Sequence, residues 1–499
     1  MLALVAVLVV AGGAGLVTAD QEEPVTEETI GYVDGVWYDD ELSVDDQDDA
    51  VVAEEDLDEV VARSMARVEV IREKPFLDDV DVDVVTRSEL EADMDELMVD
   101  LEDDQVTQQN VLYEALFMID QDTDAVETIE TLYQGAIGGF YDPAAEEIVL
   151  VSDSPDEPEV DEVTLGHEVL HAQQDQYFDL ESLERTTSDQ STAVDGLVEG
   201  EAVMVDTEYQ MRCQTEWDCL PEPSLPEDAG DLSIHEGVFL QFFHPYSDGP
   251  DYVEAIYEAE GWSGVDEHYE DPPSTAASII HQETDRPVTD VEFEDRSSEE
   301  WEPLPREGGQ ESNTIGEVGL ATMFMYATWE AGEPVGLETE SFQAGPGSYD
   351  YAHDVTDGWA GDAFVAYESD GGETGYAWEI ALRDEEEAET FLEGYSELLA
   401  AHDATSLEDY ADVYEVGDGF PEVVAVDLDG ESVRIVAAPS LEQLDEVDAD
   451  LPIEGDDRLS VDDTDEADDD SLLDPIPAPG VPVALAALGL GVVVLLRRR

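Results

Sequence analysis

Basic residues are almost absent from this 499-residue chain. It has 16 Lys and Arg residues against 132 Asp and Glu, its formal net charge is −116, and Lys74 is the only lysine. Proteins bind nucleic acid through basic patches that neutralise phosphates, so this composition argues against nucleic acid as a partner. Such charge repels itself in dilute solution, whereas a Debye length of about 3 Å at 1 M salt screens most of the repulsion. The composition therefore predicts a protein of an extreme halophile.

Two further absences restrict the kinds of metal site. A calcium-binding surface is the competing explanation of the acidity, but no Asp-x-Asp-x-Asp-Gly loop with a distal Glu occurs. Cys213 and Cys219 are the only cysteines, too few and too close together for a zinc site of four cysteines. Their spacing predicts a disulfide that closes a small loop, which suits an oxidising compartment.

Apolar residues suffice for a large core, and long apolar runs mark both ends of the chain. Hydrophobic residues make up 42% of the sequence and include seven Trp, which argues against disorder throughout. The run over 2–16, with small residues following it, predicts a secretory signal peptide over 1–19, although a basic n-region is missing. The run over 481–496 precedes three arginines and predicts a membrane-attached tail with the body of the protein outside.

The most informative motif is His-Glu-Val-Leu-His at residues 167–171. Residues four apart lie on one face of a helix, so the imidazoles of His167 and His171 can reach the same divalent metal. Glu168 projects beside them, where its carboxylate could accept a proton from water. Pro158 and neighbouring acidic residues suit a helix start just before the motif. The pattern predicts a catalytic metal site, and a helix whose histidines are merely hydrogen-bonded is the alternative.

A third ligand must come from another part of the chain. Gln174 and Tyr177 stand where the metzincin pattern has Gly and His, so that ligand arrangement is absent. Residues 188–211 carry an apolar stripe at helical spacing and include Glu199 and Glu201. Either glutamate could complete the three-ligand set of catalytic zinc, or it could be a solvated surface carboxylate. Periodicity alone does not choose between the two.

These two stretches together resemble the gluzincin metallopeptidases, in which a His-Glu-x-x-His helix is followed by a helix bearing Glu-Gly-x-Ala. In that family the Glu before the Gly is the third zinc ligand. The resemblance therefore implies zinc on His167, His171 and Glu199. It also implies Glu168 as the general base and keeps Glu201 as the runner-up ligand. The 27 residues between His171 and Glu199 exceed the usual gluzincin spacing, so substrate specificity is not transferred.

More narrowly, residues 140–143 and 171–176 resemble a group of secreted haloarchaeal surface proteins that carry a gluzincin-type domain. The resemblance covers approximately residues 105–440. Residues 479–481, Pro-Gly-Val, resemble the PGF-CTERM sorting signal of such proteins, with Val in place of Phe. There an archaeosortase removes the tail and a lipid replaces it. The resemblance implies an extracellular, cell-surface protein anchored in the membrane by the tail or by a lipid.

A hairpin is predicted just before the motif helix. Residues 138–143 and the apolar run 148–151 are separated by a polar turn. In gluzincin-like folds an edge strand at this place binds extended peptide by strand addition. A strand that only packs against the helix is the alternative.

Water attack on a carbonyl group also requires a residue that stabilises the oxyanion. Candidates downstream of the ligands are His235, His244, His268, Tyr269 and His281. Among these we select His281 as the second catalytic residue. Asp206, seven residues after Glu199, is a candidate for orienting a ligand histidine from outside the metal site.

The predicted fold class is α+β: a helical gluzincin-like core with a small sheet, followed by a C-terminal α+β module. In the module the predicted elements are strands at 364–367 and 376–382, a helix at 388–399 and a hairpin of 423–428 with 433–437. The domains predicted are the signal peptide (1–19), an acidic helical lead-in (20–104) whose residues up to 50 are loose, the zinc metallopeptidase-like domain (105–300), the α+β module (301–440), an Asp-rich tether (441–480) and the sorting tail (481–499).

The sequence thus predicts a surface-anchored zinc metallopeptidase that acts on peptide or protein substrates. A non-enzymatic adhesion or envelope protein on a peptidase-like scaffold is the alternative from another class. Hydrolysis of a substrate other than peptide would use the same ligands, so the sequence does not distinguish it.

Overall fold

The computed structural model describes residues 29–459 except 93–100, 137, 224–233, 285, 307–308, 339–340, 346–347, 408, 418, 421 and 454–457. The predicted signal peptide and sorting tail lie outside these residues. Within the described part, every helix is too short or too polar to cross a membrane.

The fold is a mixed α+β structure with several sheets, as the sequence predicts at this coarse level. The helices are α1 (Glu54–Arg72), α2 (Asp103–Ala115), α3 (Ala125–Ala136), α4 (Glu162–Phe178), α5 (Ser188–Thr215), α6 (Glu236–Ser247), α7 (Gly249–Glu260), α8 (Trp262–Glu270), α9 (Ala276–Ile280), α10 (Gly316–Ala331), α11 (Asp354–Asp357), α12 (Glu385–Ala401) and α13 (Leu441–Val447). The strands are β1 (Tyr32–Val33), β2 (Val36–Trp37), β3 (Asp81–Val85), β4 (Gly139–Asp142), β5 (Glu147–Val151), β6 (Trp301–Pro303), β7 (Gln343–Gly345), β8 (Ser348–Tyr349), β9 (Trp359–Ser369), β10 (Thr374–Leu382), β11 (Thr405–Ser406), β12 (Val413–Glu415), β13 (Val423–Asp429) and β14 (Ser432–Ala438).

Helix α5 is the centre of the helical part. It packs against α1, α4, α6, α7, α9 and α10. Its apolar stripe, including Val194, Leu197 and Val205, is fully buried in a core shared with α1 and α4. Close to its C-terminal end, Cys213 forms a disulfide with Cys219. Because the buried stripe fixes the rotation of α5 about its axis, it also fixes the directions in which the polar side chains of α5 point.

A three-stranded sheet lies beside α4, with strand order β3-β5-β4. The β4–β5 pair is the hairpin predicted before the motif helix, and its strands are antiparallel. The strand β3, which pairs with β5 in parallel, was not predicted. Strand β4 has one neighbour in this sheet, and it packs against α4, the helix that carries the motif.

The C-terminal module contains a seven-stranded antiparallel sheet of order β11-β12-β13-β14-β10-β9-β6. Its elements β9, β10, α12, β13 and β14 confirm the predicted succession of two strands, a helix and a hairpin. Trp378 and Ile435 of this sheet share one hydrophobic core with Val111 of α2 and Phe243 of α6. The module therefore packs into the preceding helices as part of one body.

Parts of two acidic segments are packed: the stretch up to residue 50, which was predicted to be loose, and the start of the predicted Asp-rich tether after residue 440. Within 29–50, the side chains of Leu42 and Val44 are buried, and Asp45 forms an ion pair with Arg63 of α1. The ordered chain also continues past residue 440 into α13, whose Val447 is fully buried. In both places a few buried apolar residues anchor a mainly acidic segment. A prediction based on the acidic composition alone therefore treated these segments as solvated chain.

Candidate metal centre

Helix α4 carries the motif and begins just after an acidic cap. The side chain of Asp161 accepts hydrogen bonds from the backbone N–H groups of Val163 and Thr164, which satisfies donors that the first helical turn leaves free. The start is therefore a few residues later than Pro158 suggests. His167 and His171 lie on the same face of α4, and each is 1% exposed.

The third side chain comes from α5, where a glycine allows a close helix crossing. A Cβ atom at Gly200 would lie 2.4 Å from the backbone of Gly249, the first residue of α7. No side chain fits there, so Gly200 is required for α7 to cross α5 at this point. The residue before it, Glu199, is 2% exposed. The Glu-Gly pair thus places a buried carboxylate next to the point where α7 crosses α5.

The three predicted ligands converge on one point. Glu199 Oε2 lies 3.2 Å from Nε2 of His167 and 3.4 Å from Nε2 of His171. The two imidazole rings are 4.7 Å apart and nearly perpendicular. One ligand atom from each of the three residues lies within 4.8 Å of the others, a separation from which all three can hold one metal ion.

Glu201 is not part of this cluster. Its carboxylate accepts hydrogen bonds from Arg72, from Gln174 at 3.0 Å and from Tyr269 at 2.5 Å. Two residues along a helix correspond to a rotation of about 200°, so Glu199 and Glu201 face different neighbours. The structure therefore brings Glu199, and not the runner-up, to the histidines.

Each ligand histidine has a hydrogen-bond partner on its other ring nitrogen. His167 Nδ1 lies 3.1 Å from Oδ2 of Asp206, as the sequence analysis expected, and His171 Nδ1 lies 2.7 Å from Oε1 of Gln174. Gln174 was missed, although its position three residues after His171 on the same helix face could have identified it. Both rings therefore direct Nε2 toward Glu199.

The electrostatic environment of the cluster is strongly negative. Burial disfavours the charge on Glu199, but the imidazoles of His171 and His167 outweigh it and lower its pKa to about 2. Burial also disfavours a charged His167, yet its hydrogen bonds to Asp206 and Glu199 raise its pKa well above the ordinary value. The same potential favours a divalent cation in this place.

Glu168 is buried beside the cluster and is unusually basic for a carboxylate. It is 1% exposed, and its carboxylate oxygens form no hydrogen bond of regular geometry within the described residues, although the backbone N–H of Tyr141 on β4 lies close enough to oppose the rise of its pKa. Burial raises the pKa of Glu168 to about 7, although the imidazoles of His167 and His171 oppose the shift. A carboxylate with this pKa can accept and release a proton near neutral pH.

The unpaired atoms at the site fit a bound metal. Nε2 of His171 and Oε1 of Glu199 are buried without a hydrogen-bond partner in the described part of the chain. Leaving such polar atoms unpaired costs about 1–3 kcal/mol each. Two imidazoles and one carboxylate are the donor set of many catalytic zinc sites, which retain a position for water. A divalent metal would use both unpaired atoms, so the residues fit the group that the sequence predicts.

His281, selected from the sequence as a second catalytic residue, belongs to another cluster. Its Nε2 lies 2.8 Å from Oε1 of Glu317 and 3.3 Å from Oδ1 of Asp357. It lies directly after α9, and within the described residues its side chain pairs with carboxylates of α10 and α11 rather than with His167 or His171. The structure therefore places the His281 imidazole in a cluster separate from His167, His171 and Glu199, where it joins α9 to the C-terminal module.

The other candidates for the oxyanion role have structural contacts of their own. His235 accepts a hydrogen bond from Val238 N–H at the start of α6. The Nδ1 atom of His268 lies 2.9 Å from the carbonyl oxygen of Gly264 in α8. His244 is fully buried in α6. Tyr269 donates to Glu201, as described above.

Tyr246, which the sequence analysis missed, lies close to the ligands. Its ring is roughly parallel to that of His167, with the centroids 6.5 Å apart. Burial raises the pKa of Tyr246 well above its ordinary value, and the carboxylates of Glu199 and Glu168 raise it further. The hydroxyl therefore remains protonated. No local sequence pattern marks this residue.

Comparison with known proteins gives one family match. Residues 302–448 match a domain of unknown function, DUF8575. These residues run from β6 through α13 and do not include the motif helix α4 or Glu199 on α5. No curated protein and no solved structure matches the chain.

Proposed function

We propose that the chain is a zinc-dependent metallopeptidase. The observation that carries the proposal is the convergence of His167, His171 and Glu199, all buried, with the buried and basic carboxylate of Glu168 beside them. A purely structural zinc site would have four protein ligands and no need of a buried carboxylate next to it. The donor set and Glu168 together support a hydrolytic centre.

The roles of the protein groups follow from their surroundings. His167, His171 and Glu199 would hold zinc, which in such sites supplies a lowered pKa for water and polarisation of a carbonyl oxygen. Glu168 would accept the proton of the attacking water and pass it to the leaving amine, since its pKa of about 7 allows both transfers. The protonated hydroxyl of Tyr246 would stabilise the oxyanion in place of His281.

The strand β4 supports a peptide substrate over other hydrolysable molecules. It is the outer strand of its sheet and packs against the motif helix. An outer strand can bind an extended peptide by strand addition. Substrate main chain bound there would lie next to Glu168 and the ligands of α4.

The proposed location is the outside of a halophilic archaeal cell. The net charge of −116 suits molar salt, and the disulfide between Cys213 and Cys219 suits an oxidising compartment. We propose secretion through the segment 1–19 and membrane attachment through 481–499, or through a lipid that replaces it.

The test compares Glu168→Gln with wild type in the full chain purified in high salt. We expect one zinc per chain in both proteins by elemental analysis, and cleavage of casein or a quenched fluorescent peptide by wild type alone. General bases typically contribute 10²- to 10⁴-fold to the rate, so the loss in the variant should be at least of that order. The matched control is Glu181→Gln, at an exposed residue outside the cluster, which should cleave at the wild-type rate.

Each alternative gives a different outcome. Zinc without cleavage of any peptide in the wild-type protein would indicate a non-enzymatic surface protein or a hydrolase of another substrate class. Wild type without bound zinc would refute the proposal, as would a Glu168→Gln variant that cleaves at the wild-type rate.

A further inference from the structure

The side-chain amide of Gln174 has only one possible orientation. Its Nε2 lies 3.0 Å from the carbonyl oxygen of Val198 and 3.0 Å from Oε2 of Glu201. Both of these atoms accept hydrogen bonds and neither donates, so the amide must present its NH₂ group to them. The oxygen of Gln174 is consequently the atom that faces His171, at 2.7 Å.

This orientation determines which nitrogen of His171 carries a proton. An amide oxygen only accepts hydrogen bonds, so Nδ1 of His171 must be the donor. In the neutral imidazole Nε2 then has a free lone pair, and Nε2 is the atom beside Glu199. Gln174 therefore prepares His171 as a ligand, and it does so without adding a negative charge to the site.

Glu201, which fixes the amide together with the Val198 carbonyl and the Tyr269 hydroxyl, is itself held by a buried arginine of α1. Glu201 is 0% exposed and Arg72 is 2% exposed, and the two form an ion pair. Arg72 also pairs with Asp266 of α8, and its guanidinium lies 4.3 Å from the ring centroid of Trp262. A buried carboxylate without its counter-charge is strongly destabilised, so Glu201 depends on Arg72 to remain in place.

We propose that Arg72 is a positioning residue of the metal site, acting through Glu201 and Gln174 on the His171 ring. The proposal rests on the proposed zinc binding and extends it to α1, a helix outside the predicted metallopeptidase-like domain. It makes α1 part of the site, because the side chain that fixes the His171 tautomer is held by a charge on α1.

The test measures zinc affinity by competition with a chromophoric chelator, using the full chain in high salt. We expect Gln174→Met and Arg72→Gln each to lower the affinity roughly 10- to 100-fold, the usual effect of removing an outer partner of a ligand. The double variant should lose no more than Gln174→Met alone, since both changes interrupt one chain of contacts. Arg72→Lys, which keeps the charge, should recover part of the loss.

A matched control and a metal-free measurement separate positioning from general stability. Arg63 is equally buried on α1, and it pairs with Asp45 and Glu162. Arg63→Gln should lower the melting temperature but leave the zinc affinity of the folded protein unchanged. In the metal-free protein, nitrogen-15 chemical shifts should show a proton on Nδ1 of His171 in wild type and a mixture of tautomers in Gln174→Met.

The outcomes distinguish this proposal from the proposed function. A wild-type protein without zinc overturns both. Zinc binding by wild type with unchanged affinity in Arg72→Gln overturns the positioning role alone. Additive losses in the double variant overturn the route through Gln174. If Arg72→Gln does not fold, Gln174→Met and Arg72→Lys decide, and wild-type affinity in both counts against the proposal.

Discussion

Two clusters in the described part of the chain combine histidine with carboxylates, and their neighbours differ. His167, His171 and Glu199 form the first, and His281 with Glu317 and Asp357 forms the second. In both clusters the possible ligand atoms lie within 4.8 Å of one another. Distances alone therefore do not separate a metal site from a structural cluster.

The second cluster already contains cations. Arg286 lies 3.6 Å from Glu317 and 3.5 Å from Asp357, and Arg383 lies 2.9 Å from Asp357. The carboxylates there are neutralised by guanidinium groups, and a metal ion would meet their repulsion. No ion pair with Arg or Lys is present among the described contacts of the first cluster. In a chain with 16 basic residues, the placement of arginine decides which acidic cluster is open to a cation.

The largest difference between the clusters should appear when one carboxylate of each is changed to an amide. We expect Glu199→Gln to bind zinc more than about 100-fold more weakly, since it removes a direct ligand and outer partners alone contribute up to that factor. Glu317→Gln should retain one zinc per chain. Elemental analysis after dialysis measures both, and zinc loss from Glu317→Gln would show that the second cluster holds the metal.

Removing an arginine from the second cluster should lower the stability of the fold. Arg286→Ala leaves the buried carboxylate of Glu317 with less compensation, and we expect the free energy of unfolding to fall by about 3 kcal/mol at neutral pH. Zinc content should not change. Chemical denaturation in high salt gives the free energy, and a loss below about 1 kcal/mol would contradict a structural role for this ion pair.

The loss of unfolding free energy in Arg286→Ala should depend on pH, and the sign of this dependence follows from Glu317. Burial raises the pKa of Glu317, while His281 and Arg286 oppose the shift. A carboxyl whose pKa is raised on folding stabilises the fold below its unfolded pKa, and this contribution is lost as pH rises through the folded pKa. Without Arg286 the pKa rises further, so the destabilisation of Arg286→Ala should shrink as pH falls and Glu317 becomes protonated.

Changing Asp206, the hydrogen-bond partner of His167 Nδ1, should have a smaller effect on zinc affinity, and only the first cluster should show it. Asp206→Asn keeps an acceptor for the ring nitrogen but removes its charge, and we expect roughly tenfold weaker zinc binding. Asp357→Asn is the matched change in the second cluster and should bind zinc like wild type. Equal losses in both variants would indicate a general electrostatic effect of the acidic surface.

The smallest effect is expected at the exposed rim of the second cluster. The Arg383 side chain is 43% exposed, and its ion pairs with Asp357 and Glu387 are accessible to salt. Arg383→Ala should therefore change stability by less than about 0.5 kcal/mol in high salt and leave zinc content unchanged. A larger loss of stability would mean that Arg383 is needed to balance the cluster.

The parts of the fold that the sequence predicted have strong local patterns. The apolar stripes of α1 and α5 lie in one hydrophobic core, and the apolar runs of β9, β10, β13 and β14 are buried in the cores of the C-terminal module. Helices α7 and α8 were not predicted, since they are short and follow one another directly through Gly261. The acidic segments beside α1 and α13 were misjudged because a few anchoring apolar side chains are hard to recognise within so many carboxylates.

The sequence by itself determined the motif face of α4, the glutamate-glycine pair on α5 and the acidic composition, because each depends on residues that are neighbours along the chain or on a helix. Only the tertiary structure decided between Glu199 and Glu201, assigned His281 to a structural cluster and connected Arg72 to His171. These outcomes depend on which side chains from distant segments share a buried space, and that is set by helix crossings such as the one at Gly200.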